Sequence, residues 1–149
     1  MKSIIWRVKK IESEDIRKST WPKGIREYRE FKKNIEKFHD VIGVWLCIEE
    51  SDKEEYLDSL VERIINLNNQ FYKLKKIVVV PFAHLSNKLE HPEKSKKLFE
   101  KLTEKLKEKN FETYRITFGT HKRFLWEVMG QVAGASYFEF PFSGQKFNV

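Results

Sequence analysis

Two short stretches of the chain combine a break in regular structure with side chains able to do polar chemistry. The first is Val80-Pro81-Phe82-Ala83-His84-Leu85-Ser86. The run Ile77-Val78-Val79-Val80 reads as a buried strand, and Pro81, which has no N–H to donate, must end it or push it to an edge. The amides of Phe82, Ala83 and His84 are expected to leave the strand ladder there, and free backbone donors beside an imidazole can bind a carbonyl or a small polar ligand. The second stretch is Phe118-Gly119-Thr120-His121-Lys122-Arg123-Phe124, a turn carrying three consecutive nitrogen side chains that can meet a phosphate or an ester oxygen. Each also has a plainer reading. His84 fills a half-buried slot or caps a turn, and His121-Lys122-Arg123 is a solvated turn.

Other chemistries lack their residues. The chain shows no Ser-His-Asp order, glycine-rich phosphate loop or metal-ligand spacing. Cys47 is the single cysteine, which excludes an intramolecular disulfide and a paired-cysteine metal site; inside the apolar run at 41–48 it reads as a small buried hydrophobe.

The elements that must position these stretches follow from periodicity. Residues 3–8 and 41–48 read as strands, the second apolar on both faces and therefore central in its sheet. Between them, Tyr28, Phe31, Ile35 and Phe38 follow the Trp21-Pro22-Lys23-Gly24 turn at helical spacing, although an edge strand also fits. Ser51 and Glu54 have the spacing of a capping box, and Leu57, Leu60, Val61, Ile64 and Ile65 form the apolar stripe of a helix. A second helix is predicted from Pro92 onward, with Leu98, Phe99, Leu102 and Leu106 on one face and Asn110 as a left-handed cap. Tyr114, Ile116 and Phe118 alternate, as do Phe124, Trp126 and Val128, and the short Gly119-Thr120-His121 link predicts a hairpin. Residues 137–142 read as a last strand closed by Pro141. This order predicts an α/β layer structure: one domain over 1–149, with sheet packed against two amphipathic helices.

Composition bounds the partners. The chain has 149 residues, 40% apolar and 34% charged, which provides for a core and excludes both a membrane protein and a disordered chain. No run of about 18 apolar residues occurs and Lys2 and Arg7 interrupt the amino-terminal segment, so a cytoplasmic location is expected. The net charge of +7 suits a polyanion met by one face, or simply a solvated Lys/Glu surface.

With these residues in view, a family resemblance emerges. The string from Val79 to Ser86, the helix end Leu106-Lys107-Glu108-Lys109-Asn110-Phe111, and Thr117-Phe118-Gly119-Thr120-His121-Lys122 are similar, in order and spacing over residues 41–130, to the amino-terminal editing domain of archaeal-type threonyl-tRNA synthetases. The resemblance implies a fold like that of D-aminoacyl-tRNA deacylases and hydrolysis of L-serine wrongly esterified to threonine tRNA. Such an activity has a physical rationale, because an aminoacylation pocket gains only ~1–3 kcal/mol from one methyl group and cannot by itself reject serine. It implies Lys122 near the ester, orienting water or stabilising the oxyanion, and His84 as base or positioner. The backbone of Phe82, Ala83 and His84 would hold the seryl group, Ala83 setting the wall against threonine's methyl. Pro81, Val44 and Trp45 would flank the terminal adenosine, and Phe118, Thr120 and His121 complete the substrate side. No metal or cofactor is implied, since the aminoacyl ester is already activated. The acceptor end of threonine tRNA and a threonyl-tRNA synthetase catalytic subunit are the implied partners, with no membrane, and a homodimer is expected from the fold's relatives and from the edge strand at 137–142. The length suggests a free-standing editor or an excised domain. Two other readings follow from the same fold, a non-catalytic binding module and a D-aminoacyl-tRNA deacylase.

This chain departs from the family pattern in three places. His121 stands where the family has an aromatic hydroxyl, and the first strand lacks a His-Ser-Asp-like signature. No carboxylate occurs in 130–136, so Glu127 or Glu139 would have to substitute.

Overall fold

The apolar run at 41–48 becomes the spine of a sheet. In the computed structural model, which describes residues 1–19 and 31–142, it forms the second half of strand β2 (Glu36–Cys47). On one side β2 pairs antiparallel with the long strand β1 (Lys2–Lys18); on the other it pairs parallel with β3 (Lys76–Pro81). Strand β4 (Glu112–Arg115) extends the parallel side. The free side of β1 is shared: β6 (Ala135–Glu139) pairs with residues 2–6 and β5 (Thr120–Val128) with residues 8–18, giving the order β4-β3-β2-β1-β5 with β6 beside the start of β1.

Two helices close one face. Helix α1 (Tyr56–Leu67) buries Leu57, Leu60, Val61, Ile64 and Leu67, and α2 (Pro92–Glu108) buries Leu98, Phe99, Leu102 and Leu106. Pro92 occupies the first turn of α2, where its missing N–H costs nothing, and Asn110 adopts a left-handed φ of 65° after the helix. These stripes meet Ile5, Ile42, Val44, Leu46, Ile77 and Val79 in the main core. Each such side chain, fully buried, contributes about 1.5–3 kcal/mol.

Alternation along β2 sends Val41, Gly43 and Trp45 to the opposite face. There a smaller core joins Val8 and Ile11 of β1 to Val41, Val78, Val80 and Ile116, with Trp6, Phe38, Trp45 and Trp126 packed around it. Residues as distant in the sheet as Ile11 and Ile116 share this cluster only because the sheet curls over itself. The bend has a local cause. Lys9 is extra in the pairing of β1 with β5, and opposite this point Asp40 of β2 takes a left-handed φ of 51°. A second register shift between Asp15 and Arg17 leaves Ile16 outside the ladder and 56% exposed.

Several sequence expectations are corrected here. The first strand does not stop at Val8 but runs on to Lys18, its inward residues turning polar beyond Ile11. Phe38 lies in β2 and residues 31–35 are not helical, while the helical pattern's Tyr28 and the Trp21-Pro22-Lys23-Gly24 turn lie outside the described residues. Ser51 does not cap α1, whose first turn has no side-chain cap; Ser51 itself takes a φ of 69°. The neighbouring Asp52 accepts from the Glu49 amide and the Met1 α-amino group, each at 2.7 Å. The expected hairpin between 114 and 128 does not form either. Strands β4 and β5 lie at opposite edges of the sheet, and four residues suffice to join them because the curl brings those edges together.

Candidate functional site

The end of β3 and the turn after it carry the first stretch. Pro81 is the last residue of the strand, and Ala83–Leu85 form a single 3-10 turn. The Phe82 amide is not released: it donates to the Leu46 carbonyl at 2.9 Å and continues the ladder one residue past the proline. Ala83 and His84 are exposed, Pro81 and Phe82 half-buried. Beneath the turn, burial pushes the Cys47 thiol above its ordinary range, partly offset by a hydrogen bond from the Leu85 amide. A structural role for this cysteine fits its burial better than a nucleophilic one.

An unbroken series of ring contacts leads from this turn to β5. The His84 ring meets Phe82 edge-on at 5.3 Å, Phe82 stacks on Trp45 at 4.6 Å, Trp126 meets Trp45 edge-on at 5.2 Å, and Phe124 follows Trp126 at 6.2 Å. Trp6 closes on Trp45 from β1 at 5.0 Å. Gly43 is required beneath these rings, since a Cβ there would stand 2.4 Å from Trp126 Cζ3. The ring N–H groups of Trp6 and Trp126, and the hydroxyl of Thr117, are buried without a hydrogen-bond partner among the described residues. This wall therefore combines apolar faces with polar capacity that the described residues leave unused.

Lys122 stands on the same face of β5 as Phe124 and Trp126, by the two-residue period of the strand. It is half-buried, and its ammonium donates to the Thr120 hydroxyl at 2.7 Å and the Thr120 carbonyl at 3.1 Å. Gly119, at a left-handed φ of 74°, makes the turn into β5, and its carbonyl accepts from the Ser19 amide at 2.9 Å. His121 points to the exposed side. Two of the expected substrate residues turn elsewhere. The Val44 side chain is fully buried against the helices, leaving only its backbone beside Trp45, and Phe118 packs on Phe99 of α2 at 5.8 Å. So the structure gathers Trp45, Phe82 and His84 into one contact series that runs to β5, whose Lys122 and Thr120 form a hydrogen-bonded pair, and it sets Val44 and Phe118 into the main core.

Beside the turn lies an open cavity of about 420 Å³, lined by Met1, Lys2, Glu49, Ser86, Phe140 and Pro141 among others. Burial pushes the Glu49 carboxyl up, but the Ser86 hydroxyl at 2.6 Å, the Met1 α-amino group at 3.1 Å and Lys2 at 3.3 Å together hold it below the usual carboxylate range. This network was not legible in the sequence, because Glu49 and Ser86 belong to different segments. Of the two carboxylates suggested by the departures above, Glu127 lies on the opposite face of β5 from Lys122 and reaches Lys9 at 3.8 Å. Glu139 sits in β6, paired with Lys2 at the start of β1.

Comparison with known proteins decides the family. The model of the archaea-specific editing domain of threonyl-tRNA synthetase matches residues 2–137. The chain belongs to this family. The editing-domain match takes in β1 as well as the region 41–130 that carried the resemblance. The chain is 34% identical over 94 residues to a threonine–tRNA ligase of Staphylothermus marinus, covering 62% of the chain and 15% of that ligase. It is 29% identical over 114 residues to a threonine–tRNA ligase editing subunit of Saccharolobus solfataricus, covering 76% of the chain and 29% of the subunit. It thus spans less than a third of either relative's length. Among solved structures, the c-Myc DNA unwinding element binding protein superposes with a TM-score of 0.68 at 17% identity, over 95% of this chain and 100% of that one. The editing domain therefore has the D-aminoacyl-tRNA deacylase-like α/β fold, a six-stranded sheet with two helices.

Proposed function

We propose that this editing domain hydrolyses L-serine esterified to threonine tRNA. One observation carries the reading: the family match spans both chemical stretches, Pro81 to Ser86 and Phe118 to Lys122. In the reaction water adds to the ester carbonyl, the bond to the terminal ribose oxygen breaks, and serine leaves while the tRNA regains its hydroxyl. The terminal adenosine stacks against the half-buried Trp45 and Phe82 pair beside Pro81, a contact worth ~1–3 kcal/mol per base for an unpaired end. The seryl group lies against Ala83 and His84, with Ala83 forming the wall that threonine's extra methyl would meet. Lys122 supplies its ammonium to the carbonyl oxygen as charge develops, and His84 or the terminal ribose hydroxyl orients the water. The protein works in the cytoplasm as a homodimer, serving a threonyl-tRNA synthetase.

The decisive experiment offers the protein threonine tRNA charged with L-serine, L-threonine or a D-amino acid and follows release of each. Release of L-serine alone is expected. Release of only the D-amino acid would make it a D-aminoacyl-tRNA deacylase. No release, with salt-sensitive tRNA binding retained, would make it a binding module, the reading favoured by the lack of a carboxylate in 130–136.

A further inference from the structure

Strands β1 and β5 pair so that Asp15 stands directly across from Lys122. Asp15 is 6% exposed, and both of its oxygens are occupied: Oδ1 accepts from the Thr120 hydroxyl at 2.8 Å and Oδ2 from the Lys32 amide at 2.8 Å. A hydroxyl has one proton to give and lone pairs to share. With the Thr120 proton directed at Asp15, the same oxygen faces Lys122 as an acceptor, and the ammonium donates to it at 2.7 Å. The result is a line of hydrogen bonds from ammonium to hydroxyl to buried carboxylate.

The fold makes this line deliberately specific. The bulge at Ile16 ends the regular register just beyond Asp15, and the adjacent Glu14 pairs outward with Arg123 at 3.1 Å. Of two neighbouring carboxylates on β1, one is therefore spent on the surface and the other is turned toward Lys122. A lysine ammonium on its four-carbon stem loses rotamer freedom when fixed. Fixing it before substrate arrives moves that cost out of the reaction step.

Resting on the reading of Lys122 as the residue at the ester, the geometry points to Asp15 as a positioning residue that, through the Thr120 hydroxyl, holds the Lys122 ammonium in its working place. Asp15 touches no reacting atom; it acts at one remove.

The test combines Thr120→Val, Thr120→Ser, Asp15→Asn and the double variant Asp15→Asn/Thr120→Val. For release of serine, Thr120→Val and Asp15→Asn each lower kcat roughly 10–100-fold, the scale of losing a preorganised group, with KM little changed. Thr120→Ser, which keeps the hydroxyl, retains the rate. The double variant is no slower than the worse single one, because both break the same line. Full activity in Thr120→Val, or losses that multiply in the double variant, overturn the inference. Thr120→Val also carries the test should Asp15→Asn fail to fold. A second readout needs no turnover: the NMR signal of the Lys122 ammonium, protected from exchange by its hydrogen bonds, is expected in the unaltered protein and is lost in Thr120→Val. Its persistence there overturns the role of Asp15 and Thr120. Absence of serine release from the unaltered protein defeats the functional reading instead, and the ammonium signal still decides this one.

Discussion

On the face covered by α1 and α2 the sheet presents Ile5, Ile42, Val44, Leu46, Ile77 and Val79, all buried beneath aliphatic helix stripes. On the other face stand Trp6, Trp45 and Trp126, only partly buried, and among the described residues no helix packs over them. The aliphatic side gains stability from close packing and offers no unsatisfied polar atoms of its own stripe. The indole side leaves two ring N–H groups unpartnered among the described residues and ends at the exposed Ala83 and His84. Close-packed aliphatic side chains and part-exposed indoles stand on opposite sides of one sheet, with β2 contributing alternate residues to each.

If the proposed function holds, substitutions in the helix-side core and at Lys122 and Trp45 should therefore differ in what they change. The largest effect is expected on the helix side: Phe99→Ala, at a residue 2% exposed, lowers unfolding free energy by about 3–5 kcal/mol in a denaturant titration while leaving per-molecule serine release intact. On the indole side Lys122→Ala does the reverse, cutting release roughly 10²–10³-fold, the cost of one lost oxyanion donor, with an unchanged unfolding midpoint. Unaltered turnover by that variant would remove Lys122 from the mechanism. Trp45→Ala weakens binding of the tRNA acceptor end by about 1–3 kcal/mol, measured by titration with a short acceptor-end RNA. Gly43→Ala forces the Trp126 ring aside and costs about 1–3 kcal/mol, with a change in indole fluorescence that reports the displaced ring. Smallest is Asn110→Ala, whose left-handed φ of 65° makes it cost about 1 kcal/mol of stability and nothing in release. An effect of Asn110→Ala on release, or of Trp45→Ala on stability alone, would show that the two sides are not separate.

The helix side was the legible one. Leu57 to Ile64 and Leu98 to Leu106 repeat at helical spacing against a continuous apolar strand, so local pattern and final packing agree. The curled side resisted reading because its organising events are single residues. Nothing about Lys9 or Asp40 marks a bend, and beyond Ile11 the inward residues of β1 are Ser13 and Asp15, whose polarity disguises a strand. The short link from β4 to β5 looked like a hairpin because proximity in sequence usually means adjacent strands, whereas here it reflects two sheet edges folded toward each other. His84 and Lys122 stood out by residue type and motif. Asp15 did not, since its importance comes only from a cross-strand register.

The odd residue at Lys9 has a consequence for how this chain can change. Before it the even-numbered positions Ile4, Trp6 and Val8 face the indole side; after it the odd-numbered Ile11, Ser13 and Asp15 do. Deleting that one residue would leave Val8 and Ile11 two positions apart, so that Ile11, Ser13 and Asp15 would keep their face while the bulge that bends β1 against β5 would be lost. The extra residue thus shapes the strand, and what its loss would change is the curvature that sets β5 beside β1 and not the choice of side chains turned inward.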